Sequence, residues 1–146
     1  EFIKNGRTKL LSRMMGHFNI RKSELEVILN ILRTYTPVTK ITLIKNMKVI
    51  LEELKDENIP YVIFTNGNVD QQKNKVANIE WDGLLTDVIY ANEISPKPDP
   101  ISFTNYLLKS QIRIKKNEIL MIGDSFGDEL FAENLGCDFK DVSNFV

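Results

Sequence analysis

The chain of 146 residues is long enough for one ordinary domain with a real core. Apolar residues make up 42% and charged residues 27%, a balance that excludes a disordered or low-complexity chain. The net charge of −1 gives no bulk attraction to nucleic acid or to an anionic membrane, so neither is expected as a partner.

The charge is unevenly spread. Residues 1–40 carry eight Lys/Arg against three Asp/Glu, a balance of +5, and the remainder carries eleven against seventeen, a balance of −6. A basic front segment can attract an anionic substrate, although a solvated helix face is the readier explanation. Cys137, the one cysteine, excludes an intramolecular disulfide and a cysteine-based metal cluster, and a single free thiol fits a reducing, cytoplasmic location. No apolar run approaches the ~20 residues of a membrane span, and no signal-peptide pattern is visible.

Taken in order, the chain opens with Leu10, Leu11, Met14, Met15 and Phe18 at helical spacing, which predicts a helix over about 7–18. After a break at 19–22, Ser23 with Glu26 gives a capping-box pattern, and Leu25, Ile28, Leu29 and Leu32 give a second helical stripe. Pro37 ends this region, which reads as a helical hairpin. Leu43, Met47, Ile50 and Leu54 mark a third helix. The run 59–64 is a buried strand ending in Thr65-Asn66-Gly67, and a weakly anchored helix follows over 69–79. Residues 87–91 form a shorter strand. Ser95-Pro96-Lys97-Pro98-Asp99-Pro100 is a rigid loop, with Asp99 as the expected N-cap of a helix reaching about Ser110.

The stretch 119–129 organises the rest. Ile119-Leu120-Met121-Ile122 reads as a buried strand, Gly123-Asp124 as its end, and a helix runs from about Phe126 to Gly136. Residues 138–146 hold a candidate last strand. From Thr42 onward helices and strands alternate, so the expected fold is α/β, a parallel sheet with helices on both faces.

In a parallel sheet the carboxyl ends of all strands share one edge, where ligands bind. Thr65-Asn66, Lys97 and the pair Asp124 and Asp128 all fall there. Singly, Asn66-Gly67 reads as a turn, Lys97 as a surface lysine and Asp124 as a helix cap; the ordered set is far more specific. A Thr hydroxyl with helix-start N–H groups suits phosphate oxygens, and a fixed Lys can neutralise a phosphoryl group. Two carboxylates four residues apart can converge on Mg²⁺. Ser125 has no plausible base, because His17, the only histidine, lies in the front segment, so a Ser–His triad is not expected.

The segments 62–67, 95–100 and 122–128 together resemble motifs II, III and IV of the haloacid dehalogenase (HAD) superfamily, over about residues 42–140. The Lys-Pro-Asp-Pro form and the helical front resemble its phosphoglycolate-phosphatase and β-phosphoglucomutase-like branch. That resemblance implies a Rossmann-like core over 42–146 and a partial helical cap over 1–41. It implies that Thr65 and Asn66 bind the phosphoryl group and that Lys97 bridges it to the nucleophile. Asp124 would ligate Mg²⁺, with Asp128 ligating or supporting it. The implied activity is Mg²⁺-dependent hydrolysis of a small phosphorylated metabolite through an aspartyl-phosphate, with hydrolase and mutase not distinguished. Motif I, Asp-x-Asp at the end of the first strand, is absent; Glu24-Leu25-Glu26 matches it only in spacing. The expectation is therefore an N-terminally truncated chain that lacks the nucleophile and the central strand and is inactive alone. The alternative is a catalytically inactive HAD-like binding or regulatory module, and a receiver-type domain is a third reading. Substrate identity and oligomeric state are not encoded in these motifs.

Overall fold

The computed structural model describes residues 13–145. The chain divides into two compact units, with the boundary between Thr36 and Pro37.

In the first unit, residues 13–18 are helical (α1) and Lys22–Thr34 form α2. The expected start at Ser23 is corrected. The helix begins at Lys22, because Glu24 accepts hydrogen bonds from the Arg21 N–H (2.8 Å) and from the Arg21 guanidinium (2.6 Å). This carboxylate caps the helix from one turn in, and Ser23 already lies inside it. Leu25, Ile28 and Leu29 are half-buried, as the stripe requires. Leu10, Leu11 and the Leu32 side chain lie outside the described residues.

The second unit runs β1 (Ile41–Thr42), α3 (Lys45–Asp56), β2 (Ile63–Thr65), α4 (Val69–Ala77), β3 (Ile79–Glu80), β4 (Val88–Tyr90), α5 (Ile101–Lys109), β5 (Leu120–Gly123), α6 (Phe126–Leu135) and β6 (Asp138–Asp141). All pairing among the described residues is parallel, which identifies an α/β fold. The strands fall into three pairs, β1 with β3, β2 with β4 and β5 with β6. Residues 41–42 and 79–80 carry no strand pattern in the sequence; each strand is two residues long and gives the period nothing to repeat. Residues 138–141 do form a last strand, paired with β5 from Leu120↔Asp138 to Gly123↔Asp141.

One apolar core joins the second and third pairs. Ile89 of β4, Phe103 of α5, and Phe131 and Leu135 of α6 are buried at its centre. Val62, Phe64, Ile119, Met121 and Cys137 pack against them. Phe64 meets Phe131 edge-on at 5.0 Å and Phe103 lies 5.8 Å from Phe131, so three rings from β2, α5 and α6 lock together. Thus β2 and β5 feed one core, yet no ladder connects them among the described residues.

The directions of the backbone groups show where their unpaired edges lie. The N–H of Ile63 donates to Asp87 O, on the β4 side. Successive residues of a strand alternate, so the N–H and C=O of Phe64 face away from β4. By the same alternation, the carbonyl of Ile119 accepts from Asp138 on the β6 side, and the backbone groups of Leu120 and Ile122 face away from β6.

Candidate functional site

The site is built at the carboxyl ends of β2 and β5. At the end of β2, Thr65, Asn66 and Gly67 turn the chain into α4. Gly67 has φ +123, a region that favours glycine, and Asn68 then caps α4 by accepting from the Gln71 N–H at 3.0 Å. The Gly67 N–H donates to the side-chain oxygen of Asn92 at 2.7 Å. The Thr65 hydroxyl donates to Oε1 of Gln72, 3.1 Å away.

Asn66 points across to the proline-rich loop. Its amide nitrogen donates to the Lys97 carbonyl (3.0 Å) and its amide oxygen accepts from the Lys97 N–H (2.8 Å). One side chain therefore satisfies both backbone groups of Lys97, as a neighbouring strand would. The rest of the loop is held equally closely. Ser102, 2% exposed, bonds through its hydroxyl to the backbone of Ala91 and Ser95, and Asn134 of α6 donates to Pro98 O at 3.0 Å. Asp99 was expected as the N-cap of α5, with Pro100 as its first residue. The helix instead starts at Ile101 with Pro100 in the capping position. Asp99 still serves that end by accepting from the Ile101 N–H at 2.9 Å, and it also ties back to Ser95 at 2.8 Å.

From this clamped loop the Lys97 side chain reaches inward. Its ammonium donates to the Phe64 carbonyl at 3.0 Å and to Asp128 Oδ1 at 2.5 Å, and it lies 4.9 Å from the centre of the Phe64 ring. The Phe64 carbonyl is the one facing away from β4, so Lys97 sits on the unpaired edge of β2. Both partners of this ion pair are nearly buried, with side chains 9% and 7% exposed.

At the end of β5, Gly123 allows the close approach that Asp128 needs. A Cβ at position 123 would lie 2.6 Å from Asp128 Cβ, Cγ and Oδ2. Ser125 caps α6, and its hydroxyl donates to Asp128 Oδ2 at 2.6 Å while its N–H reaches the same oxygen at 3.2 Å. Gly136 closes the helix in the left-handed conformation (φ +80), as expected. Burial alone would raise the Asp128 pKa; the hydrogen bonds from Lys97 and Ser125 and the charge of Lys97 outweigh it and hold the carboxyl below its usual range. Asp124 stands at the junction of β5 and α6, exposed.

The structure thus brings Asn66, Lys97 and Asp128 into direct contact. Thr65 precedes Asn66 on the same strand end, and Asp124 precedes the cap of the same helix. Asp128 has each carboxylate oxygen engaged, by Lys97 and by Ser125, whereas Asp124 presents a hard oxygen donor in an exposed setting, which suits a hydrated Mg²⁺. Among the described residues no three His, Cys, Asp or Glu side chains form a metal-binding group, so a cation here would draw its remaining ligands from water, substrate or groups beyond these residues. Gln72 and Asn92 were not singled out by the sequence. Gln72 sits beside Gln71 in a polar helix, and nothing in the spacing tells the buried amide from its neighbour.

Comparison with known proteins bears on the family and the fold. A family model described as haloacid dehalogenase-like hydrolase matches residues 5–142. The chain is 30% identical over 105 residues to a phosphoglycolate phosphatase of Photorhabdus laumondii subsp. laumondii, covering 70% of this chain and 43% of that protein. It therefore spans less than half the length of that curated relative. Among solved structures, a putative phosphoglycolate phosphatase from Lactobacillus delbrueckii subsp. bulgaricus superposes with a TM-score of 0.59 at 15% identity, over 84% of this chain and 52% of that one. A HAD-superfamily hydrolase from Ehrlichia chaffeensis does so with a TM-score of 0.58 at 20% identity, over 95% and 68%. At these identities the two structures speak for the fold.

Proposed function

The chain belongs to the haloacid dehalogenase-like hydrolases, and on that premise we propose that it forms most of the core of a Mg²⁺-dependent phosphatase acting on a small phosphorylated metabolite. In this reading residues 42–146 are the core and residues 1–41 part of a helical cap. The strongest support is the Lys97 ammonium, held off solvent between the Phe64 carbonyl and Asp128 at the strand ends. A buried, positioned cation beside Thr65 is what a phosphoryl group would meet on entering there.

Each residue then has a task. Lys97 neutralises phosphoryl charge and keeps an incoming carboxylate nucleophile ionised. Thr65 and the chain turn after it hold phosphoryl oxygens. Asn66 acts on the same group, in part by fixing the loop that carries Lys97. Asp124 would hold Mg²⁺, which supplies charge to offset the phosphate and orient it. Asp128 supports that corner by anchoring Lys97 and capping α6. The nucleophile is an aspartate outside residues 1–146. Its carboxylate oxygen forms a bond to phosphorus, the ester P–O bond breaks and the alcohol leaves; water then hydrolyses the acyl phosphate and releases inorganic phosphate.

The test uses p-nitrophenyl phosphate and a panel of phosphate esters with the full gene product that contains this chain. Turnover that requires Mg²⁺ is expected, with kcat/KM lower by about 10²-fold or more in Asp124→Asn. Residues 1–146 alone are expected to be inactive. A full gene product inert across the panel, with Asp124→Asn unchanged from it in every assay, overturns the enzyme reading in favour of an inactive binding or regulatory module.

A further inference from the structure

Three polar residues are buried among the described residues: Ser102, Asp128 and Gln72. The first two have evident tasks in holding the proline-rich loop and Lys97. Gln72, 8% exposed on α4, faces the Thr65 hydroxyl. Its Nε2 lies against Gly67, where an added Cβ would come within 2.8 Å. An apolar side chain of similar length would fill this space without burying an amide. The amide therefore needs a reason, and its contact with Thr65 supplies one.

We infer that Gln72 is a positioning residue that switches the Thr65 hydroxyl between holding its proton and offering it to a phosphoryl group. The inference rests on the function proposed above. A threonine hydroxyl has one proton and two lone pairs. As the structure stands, that proton has two acceptors within reach, Gln72 Oε1 at 3.1 Å and, farther off, the Asn66 carbonyl at 3.4 Å, and the shorter contact is to Gln72. Fully ionised phosphoryl oxygens only accept hydrogen bonds, so a hydroxyl whose proton is committed elsewhere would meet them with lone pairs. Rotating the Gln72 amide by half a turn exchanges Oε1 for Nε2. The amide then donates to Thr65 Oγ1, and the Thr65 proton is released to the phosphoryl oxygen. Glutamine does both without a change of charge. A carboxylate would hold the proton permanently, and a methionine would neither hold nor supply one.

The experiment measures KM and kcat for p-nitrophenyl phosphate across pH 5–8 with the full gene product, taken as ratios to the wild type. Gln72→Glu is expected to raise KM at least about ten-fold at pH 8, with the ratio falling as the introduced carboxyl is protonated at lower pH. Gln72→Met is expected to raise KM about three-fold at every pH, on the scale of one lost neutral hydrogen bond. Parallel pH profiles for the two variants would mean that Gln72 only fills space and would overturn the inference. Should Gln72→Glu fail to fold, Gln72→Met is compared in the wild-type and Thr65→Val backgrounds. Its effect disappears in Thr65→Val if Gln72 acts through the hydroxyl, and an equal effect in both backgrounds overturns it. A wild type that turns over no phosphate ester removes the proposed function and this inference with it, whereas wild-type turnover with parallel profiles removes this inference alone.

Discussion

The carboxyl ends of β2 and β5 face the same task and meet it with different chemistry. Both must stop a strand, open a helix and fix polar side chains at the sheet edge. The β5 end does so with charge: Asp128 is buried, bonded to its own helix cap and paired with Lys97. The β2 end does so with neutral amides: Asn66 clamps the Lys97 backbone, Asn92 holds the Gly67 N–H and Gln72 meets the Thr65 hydroxyl. Charge in a dry setting fixes one arrangement firmly and is costly to disturb. Amides can exchange donor and acceptor at little cost. The β5 end is accordingly the rigid half of the site and the β2 end the adaptable half.

The comparison breaks most directly at Lys97. Lys97→Met leaves Asp128 buried without its counter-charge, and about 3–5 kcal/mol of stability should be lost. Urea unfolding followed through the single tryptophan, Trp81, measures it. A loss below about 1 kcal/mol, the range of an exposed pair, would show the β5 end to be no more rigid than its neighbour.

Acid separates the two ends next. Because the folded-state pKa of Asp128 is depressed, its contribution is complete above the ordinary carboxylate value of about 4 and is lost as pH falls through the lower folded-state value. The wild-type urea midpoint should therefore drop below about pH 4, and this part of the drop should be smaller in Lys97→Met, where the Lys97 hydrogen bond and charge are gone and only the Ser125 hydrogen bonds still depress the pKa. An acid limb of equal depth in both proteins would refute the assignment.

Asn66→Ala is expected to have the smallest effect. Its two hydrogen bonds to Lys97 are exposed, and water can replace them, so about 1 kcal/mol should be lost. Activity should fall further than stability does, because the loop that carries Lys97 loses its clamp. Equal losses in both would mean the clamp does not position the ammonium.

The β5 end was legible in the sequence because local rules settle it. Four apolar residues, a glycine and a terminal glycine each act within one turn of chain; the cap was the exception, for the sequence offered Asp124 and Ser125 takes that position. The helix starts were less legible. α2 begins at Lys22 because Glu24 reaches back to Arg21, a competing cap of equal local merit to Ser23 and Glu26. The third helix shows the same limit. Its apolar stripe of Met47, Ile50 and Leu54 is half-buried, while the fully buried residue is the neighbouring Leu51, which the stripe does not name. Least legible was the division of labour at the site. That Asn66 holds a backbone, and that Asp128 answers to Lys97, depends on contacts across 31 residues of chain in each case. No spacing rule reaches that far.

One further consequence follows from where the Lys97 ammonium sits. An unpaired strand edge is a template on which another chain can build a ladder. On β2, the Phe64 carbonyl that such a ladder would use is already occupied by Lys97, which brings a positive charge with it. The residue assigned to phosphate thus also gives this backbone oxygen a hydrogen-bond partner that does not depend on a neighbouring strand.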